Sequence, residues 1–225
     1  MDVNSKQNRG NRGPELQAVA RRLFFKRGYA GTSIEQIAGQ AGFSKRTVYL
    51  YFKNKDDIFL SVVEEGMIIL RDRLAAIDVD NLPIDRAIET FLDVYLKFAT
   101  EHEPYYRMIF QEATARMVAS ASDEVRERLK SHEHACIGMM AKVIENAQQQ
   151  GFVGGIDPWQ AGVIAWAATA GILQLSTGVS QTVFTKVSRD ELIRRGVRTL
   201  YNGLRWAAMC PEENEPKTKK RKEMA

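Results

Sequence analysis

The sequence predicts an all-α protein of about nine helices, the first three compact and the rest long. Three observations carry this. No stretch alternates apolar and polar residues with β-branched enrichment and hairpin turns, so strands are not expected. Apolar residues instead recur at helical spacing, as in Ile84, Ile88, Phe91, Tyr95, Phe98 and His102. Ser or Asn precedes most of these stripes, and glycine follows several of them.

Residues 1–13 are polar and basic (Lys6, Arg9, Arg12) and read as a flexible arm. Pro14 suits a first helical position, and Leu16, Val19, Ala20, Leu23 and Phe24 give a stripe before Gly28 stops the helix. Ser33 and Gln36 form a capping-box pattern that opens a second helix through Ile37 and Ala38 to a turn at Gly42. Ser44 caps a short third helix ending near Phe52, and Asn54 caps a fourth with Ile58, Val62, Ile69 and Leu74 on its apolar face. After a break at 78–83 comes the Ile84–His102 stripe. A helix from Pro104 then carries Tyr105, Tyr106, Ile109, Phe110, Ala113 and Met117. Ser122 caps the next, with Val125, Leu129, His132, Cys136, Met139 and Val143 in line and Gly151 at its end. Asp157-Pro158 starts an uncharged helix with Trp159, Val163, Trp166, Ala170 and Leu173 in register, and Ser188 opens the last, with Leu192, Val197, Leu200 and Leu204. Residues 211–225 are charged and poor in apolar residues, which predicts a disordered tail. No short-period repeat is present.

Composition narrows the function classes. The chain of 225 residues has ordinary globular content, 44% hydrophobic and 27% charged. Cys136 and Cys210 are too few for a disulfide framework, which predicts a reducing, cytoplasmic setting. The N-terminus has no apolar signal core, and the apolar part of the uncharged run falls short of the ~20 residues a span needs, so no membrane role is expected. The charge is asymmetric: residues 1–55 hold 11 Lys+Arg against three Asp+Glu, whereas residues 56–225 carry a net −4. A basic front end on a mildly acidic body points to a polyanion met at that end.

Residues 33–52 explain that end. Two helices crossing steeply need a small residue at the contact, supplied by Ala38, and a turn residue at ease at positive φ, supplied by Gly42. Val48 then points inward with Ile37, Phe43 and Phe52, and the opposite face shows Lys45, Arg46, Thr47, Tyr49 and Leu50. This is the pattern of a helix-turn-helix that lays its second helix in the major groove. The competing reading, tyrosines as core and bases as a solvated face, would suit an isolated stretch but not one flanked by this turn and a basic arm.

The stretch GYAGTSIEQIAGQAGFSKRTVYLYFKNKDDIFLSVV, residues 28–63, resembles the DNA-binding domain of the TetR/AcrR family of bacterial regulators. Gly28, Thr32, Ile37-Ala38, Ala41-Gly42-Phe43-Ser44, Thr47, Tyr49, Phe52 and Lys55 carry the resemblance. It implies that Ser44, Lys45, Arg46, Thr47 and Leu50 face the groove, and that Thr32, Tyr49, Tyr51 and Lys55 meet phosphates; Ser33 is included at the start of the first of the two helices. Many members have Gly where Arg46 stands and His where Tyr51 stands, which leaves the operator sequence open.

The resemblance further implies a dimeric repressor of a palindromic operator in double-stranded DNA, released by a small effector bound in the helical body. Domain limits follow: an arm at 1–13, the DNA-binding domain at 14–55, a ligand-binding and dimerisation domain at 56–210, and the tail. The aromatic and methionine positions Phe91, Tyr95, Phe98, Tyr106, Phe110, Met139, Met140 and Trp166 are candidate lining for an apolar or aromatic effector, with ordinary core as the alternative for each. The last two long helices are the expected homodimer seam, with Ala161, Ala165, Ala168 and Gly171 allowing close packing.

Other readings are weaker. In HEHAC (132–136), His132 and Cys136 share a face but His134 lies about 200° round, so a metal site would need His102 as a distant partner. No metal or other cofactor is expected. A redox pair of Cys136 and Cys210 lacks any sign of approach. KTKKRK (217–222) adds at most unspecific attraction to DNA. No phosphate-binding loop, HExxH or nucleophile–base pair is visible, so no enzyme is expected. A ligand-independent architectural DNA binder is the alternative function.

Overall fold

The computed structural model describes residues 12–175 and, beyond them, 188, 191–192, 194–196, 198–199 and 202–203. The N-terminal arm up to residue 11, the tail, Cys210 and much of the last predicted helix lie outside the described residues. The described chain is helical throughout: α1 (Arg12–Arg27), α2 (Ile34–Gln40), α3 (Lys45–Tyr49), α4 (Lys55–Ala75), α5 (Ile84–Glu101), α6 (Glu103–Arg107), a π-helical turn (Met108–Glu112), α7 (Ala115–Ser120), α8 (Asp123–Gln149) and α9 (Pro158–Leu175).

The helix starts form where their capping residues stand. Ser33 accepts from the Gln36 amide (3.2 Å) while Gln36 accepts from the Ser33 amide (3.0 Å). Ser44, Asn54 and Ser122 each accept from an amide three residues on. Ser188 does the same for Glu191, and the described residues between 191 and 203 are helical. Such caps satisfy donors that a helix start otherwise leaves orphaned. Gly28 (φ 68°) and Gly151 (φ 75°) close α1 and α8 in the left-handed region that other residues avoid.

α4 is the axis of the molecule. It packs on α1, with Ser61 and Glu65 bonded to Gln17 and Arg21, and on α8, with Glu64 and Arg71 bonded to Arg128 and His132, so one helix belongs to both the basic head and the acidic body. Ile58, Phe59, Val62, Val63, Leu70 and Leu74 are buried, whereas Ile69, expected in the stripe, is only half-buried. A helix covered on two sides has no single apolar face, so one stripe cannot describe it.

Two further expectations are corrected. The helix expected from Pro104 through Met117 is broken into α6, the π-helical turn and α7. Ala113 turns to extended backbone (ψ 131°), its amide bonds to the Met108 carbonyl, and Thr114 caps a new helix by accepting from Met117. In α9 the expected register of Trp159, Val163 and Trp166 is not the buried one, because Val163 is 40% exposed. Ala161 is buried, and the backbone comes close to α8 at Gly162, where a Cβ would lie 3.1 Å from the Ile137 carbonyl. Ala165 faces a cavity, so two of the four small residues expected at the seam face inward, while Val163 and Ile164 stand exposed. A helix with no charged residue carries little to mark which side faces in.

Candidate nucleic-acid interface

The helix-turn-helix is α2, a turn and α3. Gly42 has φ 70° and open space where a Cβ would go, so backbone conformation rather than crowding calls for glycine there. The Phe43 amide bonds the Ala38 carbonyl at 2.9 Å, which locks α3 across α2. Val48 is fully buried with Ile37 and Ala38, and Phe43 and Phe52 pack against them.

The opposite face of α3 is open. Ser44, Lys45 and Arg46 are exposed, Thr47 is half-buried, and Tyr49 and Leu50 are 50% and 75% exposed. An exposed leucine and an exposed tyrosine beside two cations are not core, which rules out the reading of Tyr49 as a core residue and leaves this face open to a partner. Ser44 spends its hydroxyl on capping and on a 2.9 Å bond with the Thr47 hydroxyl, so those two present one linked polar pair.

The residues expected at phosphates are held differently from one another. Thr32 is buried and donates its hydroxyl to the Gly28 carbonyl at 2.9 Å, so its side chain braces the α1–α2 corner instead of reaching outward. Ser33 is committed to the capping box. Tyr51 is half-buried, its ring close to Gly13 at the start of α1. The Lys55 ammonium sits 3.9 Å from the centre of the Tyr29 ring, and burial pulls its pKa down, with Asp56 opposing.

Two residues that sequence reasoning missed shape this face. Tyr29 carries Lys55 on its ring, donates its hydroxyl to Asp56, and is itself pushed up to about 12, by burial first and Asp56 second. The only local signal was its place directly after Gly28. Glu35 of α2 pairs with Lys45, whose hydrogen bond is the main cause holding the carboxyl down to about 2. Any phosphate or base that Lys45 meets therefore competes with Glu35 for it.

The head is tied to the body at α6. Arg21 of α1 bonds Glu65 of α4 at 2.9 Å, and the Tyr105 hydroxyl donates to the same carboxylate oxygen at 2.7 Å. The Tyr105 ring packs edge-on to Phe25 at 4.9 Å, and Arg107 donates to the Phe25 carbonyl at 3.4 Å. The next residue, Tyr106, turns the other way to Phe110 (5.0 Å), and Phe110 joins Tyr95 (5.7 Å) and Trp166 (5.7 Å). Consecutive tyrosines thus touch the head and the aromatic interior of the body.

That interior holds a cavity of about 20 Å³ lined by Leu74, Phe91, Leu92, Tyr95, Cys136, Met140, Ala165, Trp166 and Thr169. Four of the eight candidate lining residues face it: Phe91, Tyr95, Met140 and Trp166. Phe98 and Tyr106 are buried, and Phe110 and Met139 half-buried, in the surrounding core without lining it. Cys136 is pushed up to about 12, chiefly by burial, which keeps it a thiol rather than a thiolate.

His102 and His132 do not converge on Cys136 as a ligand set. The His102 Nε2 accepts from Arg73 at 2.8 Å, and the His132 Nδ1 accepts from Arg71 at 2.9 Å. Among the described residues no group of three or more His, Cys, Asp or Glu could hold a metal ion, and no helix is long and apolar enough to cross a membrane.

Comparisons with known proteins agree with this geometry. The family model described as bacterial regulatory proteins, tetR family, matches residues 16–62, and the one described as tetracyclin repressor-like, C-terminal domain, matches residues 88–200, half of the chain. The chain is 30% identical over 130 residues to the HTH-type transcriptional repressor SCO4008 of Streptomyces coelicolor, covering 58% of this chain and 61% of that one. It is 27% identical over 180 residues to the HTH-type transcriptional regulator RutR of Escherichia coli, covering 79% and 80%. The fold is shared with the TetR family regulator PfmR of Thermus thermophilus (TM-score 0.62, 18% identity, 84% of this chain and 98% of that one). It is also shared with AibR, solved with isovaleryl coenzyme A and operator DNA (TM-score 0.60, 18% identity, the same coverage). An exposed recognition face and matches over both head and body lead to one conclusion: this chain belongs to the TetR family of bacterial regulatory proteins, DNA-binding regulators of transcription.

Proposed function

We propose that this protein is a ligand-responsive repressor that binds a palindromic operator as a homodimer and lets go when a small apolar or aromatic effector enters its body. The single observation that carries the reading is the pair Tyr105–Tyr106, one ring on the head helix α1 and the next in the aromatic interior. An effector that spreads Tyr95, Phe110 and Trp166 moves Tyr106, and with it the Tyr105 and Arg107 contacts that set the angle of the head. Such a molecule shifts the population toward heads that fit the operator poorly, by as much as its affinity differs between the two states. AibR, which shares the fold, was solved in complex with isovaleryl coenzyme A and operator DNA, and a protein of this fold that meets both a small molecule and DNA is in keeping with the reading.

In this reading residues 14–55 bind DNA in the cytoplasm and residues 56–210 bind the effector and the second copy. Lys45, Arg46, Thr47 and Leu50 face the groove, with Ser44 linked to Thr47. Tyr49, Tyr51 and Lys55 meet phosphates, and Thr32 and Ser33 fix the corner from which they reach. The exposed Val163 and Ile164 of α9 belong to the dimer seam with the last helix. The protein turns over no substrate. The small size of the cavity favours one other reading, a ligand-independent architectural DNA binder whose body is simply packed.

Selection of DNA from a randomised pool by the purified protein, followed by salt titration of the best site, separates the two. An inverted repeat is expected, because two heads on half-sites about one turn apart bind far better than one. Tyr49→Ala and Lys55→Ala are each expected to weaken binding at every sequence, and Lys55→Ala to reduce the salt slope by about 1. Salt-sensitive binding with no enriched sequence would favour the architectural reading instead.

A further inference from the structure

Tyr95 stands out in the body. The residue is 5% exposed, and among the described residues its hydroxyl has no hydrogen-bond partner. A buried hydroxyl without a partner weakens the fold by its desolvation. Phenylalanine would keep the ring contacts to Phe110 and to Trp166, at 5.7 and 5.5 Å, without that penalty. Tyr95 lines the cavity between α4, α5, α8 and α9 while its hydroxyl is closed off from it, so a guest that enlarges the cavity can supply what the hydroxyl lacks inside the protein.

The rest of the lining states what that guest is. Among its nine described residues there is no Asp, Glu, Lys, Arg or His. The Thr169 hydroxyl already donates to the Ala165 carbonyl at 2.8 Å. The Cys136 thiol is kept protonated by burial, and burial also holds the Tyr95 proton far above the ordinary phenol range. An ionic guest would be desolvated there with no countercharge, which proteins avoid. Phe91, Tyr95 and Trp166 offer ring faces and edges, and Met140, with its flexible thioether, is the wall that can yield as the cavity enlarges.

We propose that the cavity takes an uncharged, largely aromatic molecule bearing a hydrogen-bond acceptor, a carbonyl or ether oxygen, which the Tyr95 hydroxyl meets as donor. This rests on the reading of the body as the effector site. Tyr95 is then the residue that selects among apolar guests of equal size, because a donor with no other partner rewards an acceptor and gains nothing from a hydrocarbon.

The test uses the full chain and three probes of similar shape: acetophenone, ethylbenzene and benzoate. Binding is read by tryptophan fluorescence and calorimetry at neutral pH, on the wild type and Tyr95→Phe, with and without the selected operator. Acetophenone is expected to bind the wild type about tenfold more tightly than it binds Tyr95→Phe, as one net hydrogen bond allows. Ethylbenzene is expected to bind both alike, and benzoate to bind the wild type at least tenfold more weakly than acetophenone. Tyr95→Phe is expected to melt at the same or a higher temperature, since it loses only an unpaired hydroxyl. Equal acetophenone affinity for the two proteins, a preference for benzoate, or no acetophenone binding would overturn the proposal. So would a clear drop in melting temperature, which would mean the hydroxyl is already satisfied. If acetophenone binds through Tyr95 yet leaves operator affinity unchanged, the effector reading fails and the site stands. If operator release by the probes is independent of Tyr95, the reverse holds.

Discussion

Gly66→Ala is expected to lower operator affinity at least tenfold while leaving the helical content intact. Gly66 lies on α4 under α6, where an added Cβ would come 2.8 Å from the Tyr105 Cβ, 2.9 Å from its Cδ1 and 3.0 Å from the Ile109 Cδ1. The Tyr105 Cβ is fixed to its backbone, so a rotamer change cannot relieve the clash and α6 itself must move away from α4. The shift takes the Tyr105 hydroxyl from Glu65, and its ring from Phe25, while Arg107 draws back from the Phe25 carbonyl. These are the contacts through which an effector would act, so the substitution imitates the bound state from the opposite side. Overpacking of this kind costs about 1–3 kcal/mol, too little to unfold the chain. Fluorescence anisotropy against the selected operator, paired with circular dichroism, checks it; unchanged affinity with only a lower melting temperature would mean α6 does not govern the head.

The second large effect is expected at Asp57. Its carboxylate is buried and accepts three bonds, from the Lys53 amide (3.1 Å), the Ser122 amide (2.9 Å) and the Ser122 hydroxyl (2.7 Å). Next to it Asp56 accepts from Tyr29 and Ser120, and Asn54 donates to the Ser120 carbonyl at 2.9 Å. The start of α4 therefore clips the last turn of the head to the corner between α7 and α8. Asp57→Ala strands the half-buried Ser122 donors and removes a negative charge from a helix start. A loss of about 3 kcal/mol is expected. In a chain of this size that is a fall in melting temperature of roughly 6–12 °C. Asp57→Asn, which keeps one carbonyl acceptor, is expected to fall by clearly less. Calorimetry of the three proteins decides it, and a loss under about 1 kcal/mol for Asp57→Ala would show that the clip contributes little.

What the sequence made legible was chemistry confined to a few neighbouring residues. Ser33, Ser44, Asn54, Ser122 and Ser188 all cap helices because a cap needs only an oxygen and an amide three residues on. Gly28, Gly42 and Gly151 take positive φ for an equally local reason. The exposed face of α3 was legible because burying Val48 decides where Lys45, Arg46, Tyr49 and Leu50 must point. Partnerships across elements were not. Nothing near Thr32 indicates that its hydroxyl is turned inward, and nothing near Lys45 or Lys55 names Glu35 or Tyr29 as partners. The break at Ala113–Thr114 was hidden because Tyr106, Phe110, Ala113 and Met117 keep helical spacing across it. The cavity was half legible: the aromatic stripe of α5 marks Phe91 and Tyr95, but Cys136, Ala165 and Thr169 enter only through the packing of α8 and α9.

The measurement that bears most directly on the account is amide hydrogen exchange with and without the selected operator, with no effector present. If the head and the aromatic interior share one equilibrium, operator DNA must favour the conformation in which α6 grips α1, since linkage is reciprocal. Exchange is then expected to slow not only in α3 but also in residues 103–112, remote from the DNA. Protection of α3 with unchanged exchange across 103–112 would contradict the account: the head would bind DNA without reference to the body.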